Sequence, residues 1–280
     1  MNVFPWPDSY TAAASLTFDF DAETAWVGFD PDNAKRPGVL SVGHYGARVG
    51  APLILDLLAH HEVKATFFVV GQNVERYPHI VERMIDDGHE VAVHGYTHTS
   101  PQLLSEQQEE DELKRTIELL TGKGADVTGY RSPSWDVSPH TLKLLQACGI
   151  KYSSQMMADI KPYRHPGIDV VELPIQWLLD DWPFFAFGVG EMGRPMHGTQ
   201  EVLAIWKEEC DAILDLGGHF ILTMHPQVIG RPARVKALGS VIKDLKRRDE
   251  VWFVTCGEVA EFAALKLSKD DCVVLHGAQA

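Results

Sequence analysis

Ala14-Ser-Leu-Thr-Phe-Asp-Phe-Asp21 is an apolar, β-rich run that stops on two aspartates. A strand covered on both faces reads as a nearly continuous apolar stretch, which is the signature of a buried parallel sheet. The run therefore predicts an interior strand over Ala14–Phe20 that delivers carboxylates at its C-terminal end. Outward from it, strands and helices alternate nearly to the end of the chain. Further strands are expected at Lys64–Val70 (KATFFVV), Glu90–Val93, Val127–Arg131, Lys151–Ser154, Val170–Pro174, Phe220–Met224 and Val251–Thr255. Helices are expected at Val49–His60, Pro78–Asp87, Ser105–Leu120, Pro139–Cys148, Thr199–Leu216, Pro232–Arg247 and Glu258–Leu265. Ser105 with Gln108 forms a capping pattern, and Gly149 and Gly217-Gly218 are stops. About seven parallel strands separated by helices imply an α/β fold, with closure into a (β/α) barrel favoured over an open sheet.

The chain has 280 residues, enough for one large domain over 1–280. Two segments break the rhythm. Glu23–Gly50 is a Gly/Pro/Asp-rich, lid-like insertion directly after the first strand, and Gln176–His197 is rich in Trp, Phe and Gly. A net charge of −14 argues against a nucleic-acid or anionic-membrane partner. A neutral or cationic substrate agrees better with that balance. The four cysteines, Cys148, Cys210, Cys256 and Cys272, are scattered and read as reduced thiols. No apolar run is long enough to span a membrane, and the first residues lack a signal-peptide pattern, so a cytoplasmic protein is the expectation.

In a parallel barrel the working residues lie at the C-terminal ends of the strands. Ionisable residues recur at that position: Asp19 and Asp21, His94 and His98, Arg131, Asp180 and Asp181, and His225. Asp19 and Asp21 share one face of a strand, and two close buried carboxylates need a cation or a shared proton. His94 and His98, four apart, meet at one point if their segment makes a helical turn. Two imidazoles and a carboxylate form a facial triad with open positions, which suits a catalytic metal. Zinc is the first choice; iron, cobalt and manganese stay open. Arg131-Ser-Pro-Ser-Trp135 joins a guanidinium, a rigid proline turn and a large aromatic. His225 closes an apolar run, where a single histidine is ordinarily a satisfied rim residue; its place on the shared rim favours a chemical role.

These segments resemble the motifs of the polysaccharide deacetylases, the NodB-homology group of carbohydrate esterases (family 4). The resembling segments are Thr17–Asp21, His94-x-x-x-His98-Thr99, Arg131-x-Pro-x-Trp135, Asp180-Asp181-Trp182 and Leu222-x-x-His225, in order from about Ser15 to Thr255. The resemblance implies a distorted barrel of fewer than eight strands and hydrolysis of an amide. By the resemblance Asp19 is the general base, and Asp21, His94 and His98 hold a divalent metal. His225 is the general acid, Arg131 orients the base, and Asp181 or Asp180 pairs with Arg131 or tunes His225. Trp135 and Leu222 would wall the acyl pocket, with Pro133 and Trp182 as further substrate contacts. Phe20 between the aspartates, together with the insertion, is similar to a subgroup holding an intracellular-type peptidoglycan deacetylase homologue and allantoinase-like and cyclic-imide hydrolases. An N-acetylated amino sugar or glycan is then the first substrate class, and a small cyclic imide or ureide the alternative. Aromatics in the two irregular segments (Trp26, Phe29, Trp177, Trp182, Phe184, Phe185 and Phe187) predict a homo-oligomer.

Overall fold

β1 (Ala12–Phe20) is buried along its whole length, and its two faces do different work. Ala12, Ala14, Leu16, Phe18 and Phe20 join the large core shared with the helices. Ser15, Thr17 and Asp19 point the opposite way, where Thr17 and Asp19 both meet the Arg131 side chain. Alternation along the strand thus separates an apolar outer face from a polar interior. The computed structural model describes residues 4–187, 195–268 and 271–275.

β1 pairs in parallel with β2 (Thr66–Val69) and with β8 (His219–Met224). The path continues from β2 to β3 (Glu90–Val93), β4 (Gly129–Tyr130), β5 (Tyr152–Ser153) and β7 (Ile168–Glu172), all parallel. β9 (Val251–Phe253) pairs with the first residues of β1. β6 (Tyr163–His165) is antiparallel to β7 and was not expected from the sequence. Among the described residues the curled sheet does not close by a ladder. A single bridge between Asp180 and Thr223 spans the gap towards β8, which makes the barrel distorted and brings Asp180 and Asp181 beside the end of β8.

The helices cover the outer face. α3 (Ala51–His61), α5 (Pro78–Asp86), α6 (Glu106–Gly122), α9 (Thr199–Asp215) and α10 (Pro232–Leu245) contribute Leu55, Met84, Leu113, Trp206 and Leu238 to the large core. The Ser105–Gln108 capping box forms as expected. α7 (Thr141–Ala147) and α11 (Cys256–Lys266) complete the set expected from the sequence. No disulfide links the cysteines. Among the described residues, no helix is long and apolar enough to cross a membrane.

The 23–50 segment is ordered rather than irregular. It folds as α1 (Thr24–Val27), α2 (Pro37–Tyr45) and a π-helical turn at Gly46–Gly50 that runs into α3. Its glycines permit close backbone approach: a Cβ at Gly28 would lie 2.4 Å from the His98 carbonyl oxygen, and one at Gly50 would lie 2.1 Å from that of Pro226. Any larger residue would push the segment off the two loops that carry His98 and His225. α4 (Gly71–Arg76) was not expected from the sequence. Within 176–197 the chain forms a 3-10 turn at Trp177–Leu179 and the short α8 (Trp182–Phe185); residues 188–194 lie outside the described residues.

Candidate active site

Asp19 and Arg131 form the buried centre of the barrel interior. Arg131 Nη1 donates to Asp19 Oδ1 at 2.8 Å and to Thr17 Oγ1 at 2.9 Å. Its Nε and Nη2 reach Ser154 O at 2.9 Å and Ser154 Oγ at 3.0 Å, and its guanidinium carbon lies 4.1 Å from the Phe68 ring centroid. The guanidinium is therefore fixed on four sides, which offsets the several kcal/mol that a buried charge costs. Burial pushes the Asp19 carboxyl upward, but Arg131 above all, then His94 and His225, outweigh it and hold Asp19 below the usual carboxylate range. A carboxylate kept ionised in a dry site is a proton acceptor whose geometry is set in advance.

Asp21, His94 and His98 converge beside it. His94 Nε2 is 3.4 Å and His98 Nε2 3.6 Å from Asp21 Oδ1. His94 Nδ1 faces the Arg131 carbonyl oxygen at 2.8 Å, so Nδ1–H donates there and the Nε2 lone pair is left pointing at Asp21. Asp21 Oδ1 is buried without a hydrogen-bond partner. Burial first, with repulsion from Asp19, pushes the Asp21 carboxyl up to about 8. Burial lowers both imidazoles, which are thus held neutral, the form that ligates. Two ligand atoms about 2.0–2.1 Å from one tetrahedral zinc lie roughly 3.3 Å apart, so the observed spacing and the orphaned oxygen fit a divalent cation.

The histidine pair does not converge through a helical turn. Gly95 and His98 have φ of 66° and 62°, and the segment bends back on itself. A left-handed histidine is costly and persists only where its surroundings fix it. Glu112 of α6 supplies that constraint: its carboxylate accepts Tyr96 N at 3.1 Å, Thr97 N at 3.2 Å and Thr97 Oγ1 at 2.7 Å.

Across the site, His225 Nδ1 lies 2.6 Å from Asp181 Oδ1, and His225 N donates to Asp181 Oδ2 at 3.0 Å. Asp180 Oδ1 is 3.5 Å from the same Nδ1 and accepts Trp182 N at 2.8 Å. The two acidic residues therefore serve His225, and Arg131 is paired by Asp19 instead. Burial alone would lower His225, but Asp181, and then Asp180, raise it well above the ordinary histidine range. His225 Nε2 faces Asp19 Oδ2 at 3.9 Å and Asp21 Oδ2 at 3.8 Å, which sets a protonated imidazole against an ionised carboxylate. The Trp182 ring meets His225 edge-on, with centroids 5.1 Å apart, and leans on Trp26 at 5.5 Å.

Leu222 is the residue placed otherwise than expected. It is paired in register with Leu16 and buried in the helix-side core, because residues in step with His225 face the interior and Leu222 is out of step. Trp135 lies in a left-handed turn, mostly buried and stacked on Trp177 with centroids 4.3 Å apart. Pro133 packs against Gly95 of the histidine segment. Three supporting residues were not picked out from the sequence. Gln227 Nε2 donates to Asp21 Oδ2 at 3.2 Å, Asn73 Nδ2 donates to Asp21 O at 2.7 Å, and Ser154 holds Arg131. All three follow the C-terminal ends of strands, and that position was their only signal.

Residues 39–153 match the family model described as polysaccharide deacetylase. A peptidoglycan deacetylase of Helicobacter pylori is 30% identical over 277 residues, covering 87% of this chain and 93% of that protein. A Mycobacterium smegmatis structure classed with the polysaccharide deacetylases superposes with a TM-score of 0.93 at 36% identity, covering 100% of this chain and 99% of the other. An allantoinase structure superposes with a TM-score of 0.81 at 22% identity, covering 95% and 97%, which is a likeness of fold.

Proposed function

This chain belongs to the polysaccharide deacetylase family and is a hydrolase of carbon–nitrogen bonds other than peptide bonds; on that premise we propose that it removes N-acetyl groups from the amino-sugar units of a glycan. The observation that carries the reading is the placement of an ionised Asp19 and a protonated His225 beside the Asp21–His94–His98 cluster. A divalent metal held by Asp21, His94 and His98, zinc first, would polarise the acetyl carbonyl and acidify the attacking water. Asp19, oriented by Arg131, takes the proton of that water. His225, held by Asp181, gives its Nε2 proton to the departing sugar nitrogen, which is otherwise a very poor leaving group. Trp182, against His225, and Trp135, near the same rim, are read as substrate contacts; Pro133 supports the histidine segment.

We read residues 1–280 as one catalytic domain in which 23–50 forms a wall beside the metal ligands. That wall supports a second reading, hydrolysis of a small cyclic imide or ureide, since a narrowed entrance favours a compact substrate or a chain end. The deciding experiment compares turnover of N-acetylglucosamine oligomers with turnover of allantoin and cyclic imides by the same zinc-loaded protein. Deacetylation of the oligomers at the higher kcat/KM is expected, and a preference for the cyclic substrates would replace the first reading by the second.

Many aromatics of the irregular segments pack within the chain: Trp26 on Trp182, Trp135 on Trp177, and Phe185 on Trp206. Phe29, Trp177 and Phe187 nevertheless stay exposed, at 85%, 49% and 47%. We propose a homo-oligomer formed through these exposed rings. Light scattering at micromolar concentration is expected to give a multiple of 31.2 kDa, and a clean monomer would end that idea.

A further inference from the structure

Beside the active site a cavity of about 270 Å³ lies between the 23–50 wall, α8 and the start of α10. Its lining includes Trp26, Phe185, Phe187, Gln227, Arg231 and Arg234. Arg231 lies over the Tyr45 ring at 3.7 Å, and Arg234 over the Phe185 ring at 4.2 Å, with its Nη1 donating to Val228 O at 2.8 Å. Among the described residues, no ion pair forms at either guanidinium. In a chain of net charge −14, two arginines on one small cavity without an ion pair among the described residues are a local concentration of positive charge. Burial lowers Arg234, the nearby Asp181 carboxylate opposes that, and Arg231 adds a smaller repulsion.

The aromatic contacts alone do not account for this arrangement. Stacking a guanidinium on a ring is worth about 0.5–1 kcal/mol at exposed sites. It also holds the planar fork in a fixed orientation, as bidentate carboxylate recognition requires. Gln227 ties the cavity to the chemistry: it lines the cavity, is 2% exposed, donates Nε2 to the Asp21 carboxylate, and its Oε1 is buried without a partner. Trp26 lines it as well and packs on Trp182, which meets His225.

We propose that this cavity is a carboxylate-binding subsite of the active site, and that the preferred substrate is an N-acetyl amino sugar carrying a carboxylate. The inference rests on the deacetylase reading and sharpens its substrate class. It also revises the expectation, drawn from overall charge, of a neutral or cationic substrate, because the field at a few ångströms is set by the nearest charges and not by the net total.

Calorimetric titration of the zinc-loaded protein with N-acetylmuramic acid and with N-acetylglucosamine tests it, since the two sugars differ by a lactyl carboxylate. The acid is expected to bind at least tenfold more tightly, with the preference shrinking as salt rises. Arg231→Gln and Arg234→Gln should each cut the preference at least threefold, and the double variant should abolish it. Arg231→Gln is the safer variant for folding, because Arg234 also holds the Val228 carbonyl; a preserved melting temperature with a lost preference supports the subsite. Equal binding of both sugars by the parent protein, or an undiminished preference in Arg231→Gln and Arg234→Gln alike, overturns it. Inorganic phosphate displacing the acid as well as lactate does would mark a general anion site and overturn the carboxylate assignment. Binding is read without turnover, so a preserved preference in a protein that deacetylates neither these sugars nor N-acetylated oligomers would leave the subsite standing and remove the deacetylase reading.

Discussion

Asp19→Asn is expected to keep its divalent metal and to lose roughly two to four orders of magnitude in kcat, the span a positioned proton acceptor contributes. Asparagine keeps the volume and can still accept from Arg131 Nη1, so the buried guanidinium retains its contacts to Thr17 and Ser154. What disappears is the charge that accepts a proton. The Asp21, His94 and His98 side chains are untouched, so metal content by elemental analysis should match the parent. His94→Ala should behave oppositely, with metal and activity lost together. Substitution by alanine at Asp19 would be a poorer test, because stripping a buried arginine of its partner costs about 3–5 kcal/mol in stability. Metal lost in Asp19→Asn would make Asp19 a ligand, for which its Oδ2, 3.8 Å from His94 Nε2, is the nearest candidate atom. Turnover retained in Asp19→Asn would mean that another group is the base.

The strands that deliver these residues were legible because they are buried on both faces and so carry uninterrupted apolar runs; Glu90–Val93 has the same limits in sequence and structure. β6 was not legible. Tyr163-Arg164-His165 is three residues long and sits between Pro162 and Pro166, and it exists by pairing with β7 and not by its own pattern. The 23–50 segment read as irregular because glycine lowers helix propensity by about 1 kcal/mol per residue. Its glycines are instead what lets α1 and the π-helical turn press against the His98 and Pro226 backbones, a tertiary gain that propensity cannot register.

Within the site, the ionisable residues were legible from their place at strand ends, but their partners were not. Whether Asp180 or Asp181 faces Arg131 depends on a single bridge from Asp180 to Thr223, which turns both towards His225. Leu222 was assigned to the acyl pocket by motif position, although alternation back from His225 already put Thr223 inside and Leu222 outside. Periodicity was the better guide there, since it follows from strand geometry. Gln227 and Asn73 left little trace because uncharged polar residues are common in loops; their significance appears only once both are seen to donate to Asp21.

His225→Ala is expected to separate amide from ester chemistry. An amide nitrogen must gain a proton as its bond to carbon breaks, whereas para-nitrophenolate leaves readily without one. Loss of the imidazole should therefore reduce kcat/KM for an N-acetylated sugar by roughly two to four orders of magnitude, while para-nitrophenyl acetate falls by about tenfold or less. Asp19→Asn should slow both substrates, because each needs the attacking water deprotonated. The contrast between the two variants on the two substrates assigns base and acid separately, which a single rate measurement does not. Asp181→Asn should lie between parent and His225→Ala on the amide. Asp181 Oδ1 accepts from Nδ1 at 2.6 Å and its charge favours the imidazolium, so the neutral amide would still orient the ring but hold less of it protonated. The backbone tie from His225 N to Asp181 Oδ2 at 3.0 Å makes the loop position a second thing to check, and metal content and melting temperature do so. Equal losses on amide and ester in His225→Ala would show that the imidazole acts on Asp19 and Asp21, which it faces through Nε2, and not on the leaving nitrogen.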